Sequence, residues 1–147
     1  MKRLIYTIAK EKILAEVSLI SSYAGLKSEE DIFCRVALAD EDEDLASRFW
    51  TDAACEITDR LREFVVASSI NDTSFTLELE LSGSYDESLN TSVERDLTSA
   101  LAYAVISEWF RLTFPVRSSE WATLSASSLE RAHKKLCSRV RPKRLSN

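Results

Sequence analysis

Residues 91–113, TSVERDLTSALAYAVISEWFRLT, are the most informative stretch of this chain for its fold. Thr91 and Glu94 have the spacing of a capping box, which marks the start of a helix. From Ala100 onward the apolar residues fall on every side of that helix. A helix that is apolar all round lies either at the centre of a domain or in an interface between subunits. Three aromatic side chains are the predicted anchors of that core or interface: Tyr103, Trp109 and Phe110.

Three further helices are predicted from apolar residues that recur at spacings of three and four. The first covers residues 10–23. The second covers 41–67. It is predicted to begin within the acidic run 40–44, because negative charge is favourable at a helix N-terminus. The last begins at a cap formed by Ser118 or Ser119 and ends near residue 138.

A small sheet is predicted beside the helices. Residues 75–82, FTLELELS, alternate strictly between apolar and polar side chains, the pattern of a half-buried antiparallel strand. A single strand is not stable alone, so its partner is expected in 4–8 or in 31–39, a segment that fits a strand or a short helix equally well. Residues 68–72 are interpreted as a loop. The predicted fold class is α+β, mainly α, with about four helices and two to three antiparallel strands packed on them.

Composition narrows the possible classes of function. The chain has 147 residues, 45% apolar and 29% charged, which is the size of one globular domain. Two glycines are too few for a P-loop or a Rossmann fingerprint, and one histidine is too few for a two-histidine mechanism. No apolar run is long enough to predict contact with a membrane. Three cysteines without a CxxC pair indicate reduced thiols, so we expect a cytoplasmic or virion location.

The net charge of −5 is distributed unevenly. Residues 1–130 hold all 24 acidic side chains, whereas 131–147 hold seven basic ones and no acid. We predict a single globular domain over 1–138 and a basic, flexible tail over 139–147. The tail is either solvated and frayed, or it contacts an anionic partner or another copy, with nucleic acid bound weakly at most. Its predicted contact residues are Arg139, Arg141, Lys143 and Arg144.

No metal ion or cofactor is predicted. The acidic run 40–44 has the opening spacing of an EF-hand loop, but Leu45 and Thr51 occupy the positions that require Gly and Glu. A zinc site of cysteine and histidine ligands could draw only on Cys34, Cys55, Cys137 and His133. These residues lack the short spacings usual for zinc ligands, so no zinc site is predicted. Cys55 is expected to pack as a small apolar residue instead.

No catalytic residue is predicted either, and the chain is not expected to be an enzyme. His133 is the only histidine that could act as a base, and it stands beside Lys134 and Lys135 in an exposed, basic stretch. Acidic side chains also recur along the polar side of the predicted helix 41–67, where carboxylates are normally solvated. They are Asp52, Glu56, Asp59 and Glu63.

The order of these elements resembles that of small structural proteins of tailed phages and prophages. The resemblance rests on the segments DEDLASRFW, LELELSGSYDESL and ALAYAVISEWF, followed by a final helix with a basic end. Head–tail connector (adaptor) proteins, which form rings below the portal, are the nearest of these. The resemblance implies a non-enzymatic assembly protein that forms a homo-oligomer or docks on other virion proteins. The alternative is a host regulatory or binding module whose basic tail contacts nucleic acid or an acidic partner.

Overall fold

The computed structural model describes residues 1–26, 37–39 and 42–142. Within these ranges the chain forms four α-helices, one 3-10 turn and a three-stranded antiparallel sheet, so the predicted fold class is confirmed. The elements in chain order are β1 (Lys2–Ala9), α1 (Lys10–Leu26), α2 (Glu43–Arg60), β2 (Val65–Ile70), β3 (Ser74–Leu81), the 3-10 turn (Glu87–Leu89), α3 (Asn90–Thr113) and α4 (Pro115–Leu136).

The sheet has the order β1-β3-β2, and β3 pairs with a strand on each side. Phe75, Leu77, Leu79 and Leu81 are buried on one face of β3, as the alternating sequence predicts. The predicted pairing of 4–8 with this strand is confirmed. The second partner was not predicted, because the side chains of β2 are mostly exposed and half of them are small.

Two predicted boundaries are wrong around β2. The predicted loop 68–72 is wrong for residues 68–70, which belong to this strand. Helix α2 ends at Arg60 rather than at 67. The apolar spacing continues through Phe64 and Val65, but these residues serve the sheet, since the carbonyl of Phe64 accepts a hydrogen bond from the N–H of Glu80 at 2.8 Å.

The predicted caps of the last two helices are also wrong. Helix α3 begins at Asn90, so Thr91 lies inside the helix instead of capping it. The 3-10 turn leads into α3, and Asp86 caps that turn by accepting a hydrogen bond from the N–H of Ser88 at 3.1 Å. Helix α4 begins at Pro115, ahead of the predicted serine caps. Proline has no backbone N–H, and the first residue of a helix needs none, so proline is well suited to this position.

Helix α3 is the centre of the fold. It packs against α1, α2 and α4, and the buried face of the sheet joins the same apolar core. Apart from Leu112, its large apolar side chains are therefore largely covered within one chain, which accounts for their presence on all sides of the helix. Of the predicted anchors, Trp109 and Phe110 are buried in this core, and Tyr103 is half-buried with its ring 5.4 Å from the ring of Trp121.

Two serine hydroxyls of α1 hold residues 37–39 against the helix. The buried Ser21 Oγ accepts a hydrogen bond from the N–H of Leu38 at 2.9 Å, and Ser18 Oγ donates to the Leu38 carbonyl at 3.0 Å. Residues 37–39 form neither helix nor strand. The remainder of the ambiguous segment, 31–36, lies outside the described residues.

The folded part of the chain extends past the predicted boundary at 138. Backbone bonds join residues 138–140 to residues 84–86, with the N–H of Val140 donating to the carbonyl of Ser84 at 2.8 Å. Arg139 forms a β-bridge with Tyr85 in the same place. The start of the predicted tail is therefore attached to the body, while Lys143 and Arg144 lie outside the described residues.

Candidate functional site

The described surface contains a groove between α2 and α4, with a volume of about 780 Å³. Both helices pack on α3, which forms the floor of the groove through Ala104 and Ser107. Small side chains at Ala122 and Ala126 on α4 leave the space open. We call this feature the α2–α4 groove.

Hydrogen bonds between side chains and backbone hold α4 close to α3. Ser107 and Ser118 each donate from Oγ to the other's carbonyl, at 3.2 and 3.0 Å. Further along, Ser125 Oγ donates to the Ala100 carbonyl at 2.8 Å. These bonds therefore attach one wall of the groove to its floor.

The groove is acidic. Asp52 and Glu56 line it from α2, Glu108 from α3 and Glu130 from α4, against one arginine, Arg60. Glu108 and Glu130 form exposed ion pairs with basic residues of their own helices. Within the described part of the chain, Asp52 and Glu56 form no ion pair and are exposed, as the sequence predicted for the acids of this helix.

His133 lies at one end of the groove. Its Nε2 contacts a carboxylate oxygen of Glu63, and its ring stands 5.5 Å from the ring of Phe64. The histidine is partly exposed on the surface, as predicted. This contact joins the end of α4 to the residues that follow α2.

The candidate zinc ligands are not brought together among the described residues. No group of three or more His, Cys, Asp or Glu side chains in these ranges could hold a metal ion. Cys137 is exposed, and Cys55 is also exposed, so the prediction that Cys55 packs in the core is wrong. The position is one step off the buried face of α2, which is formed by Ala53, Ala54 and Ile57. Cys34 lies outside the described residues.

A second polar cluster, around Tyr6 and Tyr85, is structural. Tyr6 Oη donates to the carbonyl of Asn90 at 3.1 Å, and Lys2 Nζ donates to the carbonyl of Tyr85 at 3.0 Å. Burial raises the pKa of both tyrosine hydroxyls above the ordinary value. Both groups therefore stay neutral near pH 7, and the hydroxyl of Tyr6 joins β1 to the start of α3.

The positive charge of the C-terminal region is partly neutralised within the chain. On α4, Lys135 Nζ lies 2.6 Å from the buried carboxylate of Asp96, and Arg131 Nε lies 3.6 Å from it. By contrast, Arg139 and Arg141 are exposed and have no ion-pair partner among the described residues. The basic side chains that remain available to a partner therefore begin at Arg139. The sequence alone did not separate them from the paired basic residues of α4.

Comparison with known protein families, with curated proteins and with solved structures found no match to this chain. Among the described residues, no helix combines the length and the apolar character needed to cross a bilayer. The candidate site is therefore defined by its own geometry: an acidic groove at the surface and a basic segment attached at a separate place.

Proposed function

We propose that this chain is a non-enzymatic structural protein that assembles with further copies of itself. The observation that carries this proposal is that one chain presents two different, complementary surfaces, the acidic α2–α4 groove and the basic residues from Arg139 onward. Contacts between unlike surfaces are heterologous, and repeating them produces rings or filaments. Opposite charges also guide such surfaces together and fix their register.

This proposal agrees with the resemblance to head–tail connector proteins of tailed phages, whose function is to form a ring on other virion proteins. We propose that kind of role, in a virion or during its assembly, as the specific form of the function. Because α3 is used in the core of one chain, assembly must involve other surfaces. The α2–α4 groove is a concave surface that contains both exposed carboxylates and small apolar side chains.

The test is the absolute mass of the full chain, measured by light scattering after size exclusion. The measurement should be made at several protein concentrations, in about 0.05 M and about 0.5 M salt, because surface charges are screened at the higher value. We expect an oligomer in low salt whose mass falls in high salt. A monomer under every condition would contradict the proposal.

A binding module is the second candidate, favoured by the exposure of Arg139 and Arg141. Such a protein would use these residues on nucleic acid or on an acidic protein, with an affinity that falls steeply as salt rises. The variant R139E/R141E separates the two candidates. If it loses binding to a duplex DNA while the wild-type chain is a monomer, the module is the better description.

A further inference from the structure

We infer that the basic C-terminal segment, residues 139–147, binds in the α2–α4 groove of a second copy. The inference rests on the proposed self-assembly and identifies the two surfaces that meet. The segment contains four basic residues and no acidic one. The groove presents four carboxylates and one arginine, and two of the carboxylates, Asp52 and Glu56, have no ion-pair partner among the described residues.

The dimensions of the two surfaces agree. The groove extends along α4 from Ala122 to His133, which is about 17 Å at 1.5 Å per helical residue. Seven residues follow Val140, and in extended form they span up to about 24 Å. The small side chains at the floor leave room for the aliphatic parts of arginine and lysine, whose charged ends can then reach the acidic walls.

The point of attachment holds the start of the segment on the body of its own chain. Residues 138–140 are bonded to 84–86, just before the start of α3 at Asn90. Attachment at 138–140 also reduces the entropy lost when the segment binds a neighbour.

A charge-swap experiment on the full chain tests the contact. The groove variant D52K/E56K and the segment variant R139E/R141E change only exposed side chains, and circular dichroism verifies that each folds. We expect either variant alone to lose the low-salt oligomer seen by light scattering. An equimolar mixture of the two should recover mixed complexes, because the unaltered segment of the groove variant meets the unaltered groove of the segment variant, and the two reversed surfaces also match each other. Oligomers that persist in both single variants would overturn the inference while leaving the proposed assembly intact.

The control for net charge is D72K/E94K, which reverses two exposed acids outside the groove. It changes the total charge by the same amount as the groove variant. Under the inference it should form the same oligomer as the wild-type chain. Loss of the oligomer in this control as well would mean that overall charge, not the groove, governs assembly, which would overturn the inference.

A binding measurement separates failure of the contact from failure of the assembly. A fluorescent peptide of residues 138–147 is titrated into R139E/R141E, whose own segment no longer competes, and anisotropy is recorded in low salt. We expect the peptide to bind at least about tenfold more weakly to the fourfold variant that also carries D52K and E56K, because like charges then face each other. Equal affinity for both proteins would overturn the inference. A wild-type chain that is always a monomer would overturn the proposed assembly, whatever the peptide does.

Discussion

Replacing Lys135 by methionine should destabilise the chain, whereas the same substitution at Lys134 should have almost no effect. The two lysines are neighbours on α4, and both form an ion pair. Lys135 contacts Asp96, whose side chain is 10% exposed, and its own side chain is 28% exposed. Lys134 pairs with Glu130, and these side chains are 74% and 68% exposed. The two variants thus differ in how deeply the ion pair is buried, while the position on the helix and the type of substitution are nearly the same.

The magnitude follows from what each methionine leaves behind. At Lys135 the variant loses two hydrogen bonds of 2.6 Å, to Asp96 and to Ser92, and a buried carboxylate remains. Removing one partner of a buried pair costs about 3–5 kcal/mol. Arg131 Nε, at 3.6 Å from the same carboxylate, reduces that cost, so we expect about 2–3 kcal/mol. An exposed pair such as that of Lys134 contributes no more than about 0.5 kcal/mol.

Thermal and urea unfolding, followed by circular dichroism, measure the difference. For a chain of this length 1 kcal/mol corresponds to about 2–4 °C, so Tm should fall by about 4–12 °C in K135M and by less than about 2 °C in K134M. The double variant D96N/K135M should recover part of the loss, because asparagine carries no charge to leave unpaired. Equal stability of K135M and K134M, or no recovery in the double variant, would refute the reasoning.

Three further outcomes are expected from the core and its polar contacts. The substitution Phe110→Ala, in the buried face of α3, should cost about 3–5 kcal/mol in urea unfolding, while Leu112→Ala, at a side chain 56% exposed, should cost under about 0.5 kcal/mol; similar midpoints would contradict the central position of α3. Burial raises the pKa of Tyr6 above 10.0, so the folded state keeps a proton that the unfolded state loses; stability should be constant below about pH 10 and fall above it, and a midpoint equally low at about pH 9 would contradict this. Ser21→Ala leaves the N–H of Leu38 without its acceptor and should cost about 1–3 kcal/mol with faster amide exchange at Leu38, whereas unchanged exchange would show that the bond is dispensable.

The sequence predicted the strand whose two faces lie in different environments. In β3 one face is buried and the other is not, so the alternation from Phe75 to Leu81 identifies a strand directly. In β2 both faces are largely exposed, and the residues 68–70 therefore resemble a loop. Helix α2 was predicted too long because an apolar side chain such as Phe64 can be buried equally well by a helix or by the chain that leads into a strand.

The candidate site depends on relations between helices, which local patterns do not contain. Asp52 and Glu56 were recognised as exposed acids on one helix face, but the groove exists only because α2 and α4 pack on the same third helix. Likewise, Asp96 and Lys135 are nearly forty positions apart in sequence, so their ion pair could not be predicted from spacing. The sequence left open whether α3 is central or forms an interface, because its apolar side chains would look the same in both cases.

The pairing of β1 with β3 has a consequence for synthesis of the chain on the ribosome. Strand β1 is made before its partner, Ser74–Leu81, which follows more than sixty residues later. At about 5–20 residues per second, β1 waits on the order of 3–15 s before that partner has been made. During this time its backbone can pair with another nascent chain, and the positive charges of Lys2 and Arg3 at its start oppose such pairing. Of these two paired strands, the one translated earlier is therefore more in need of protection while folding is incomplete.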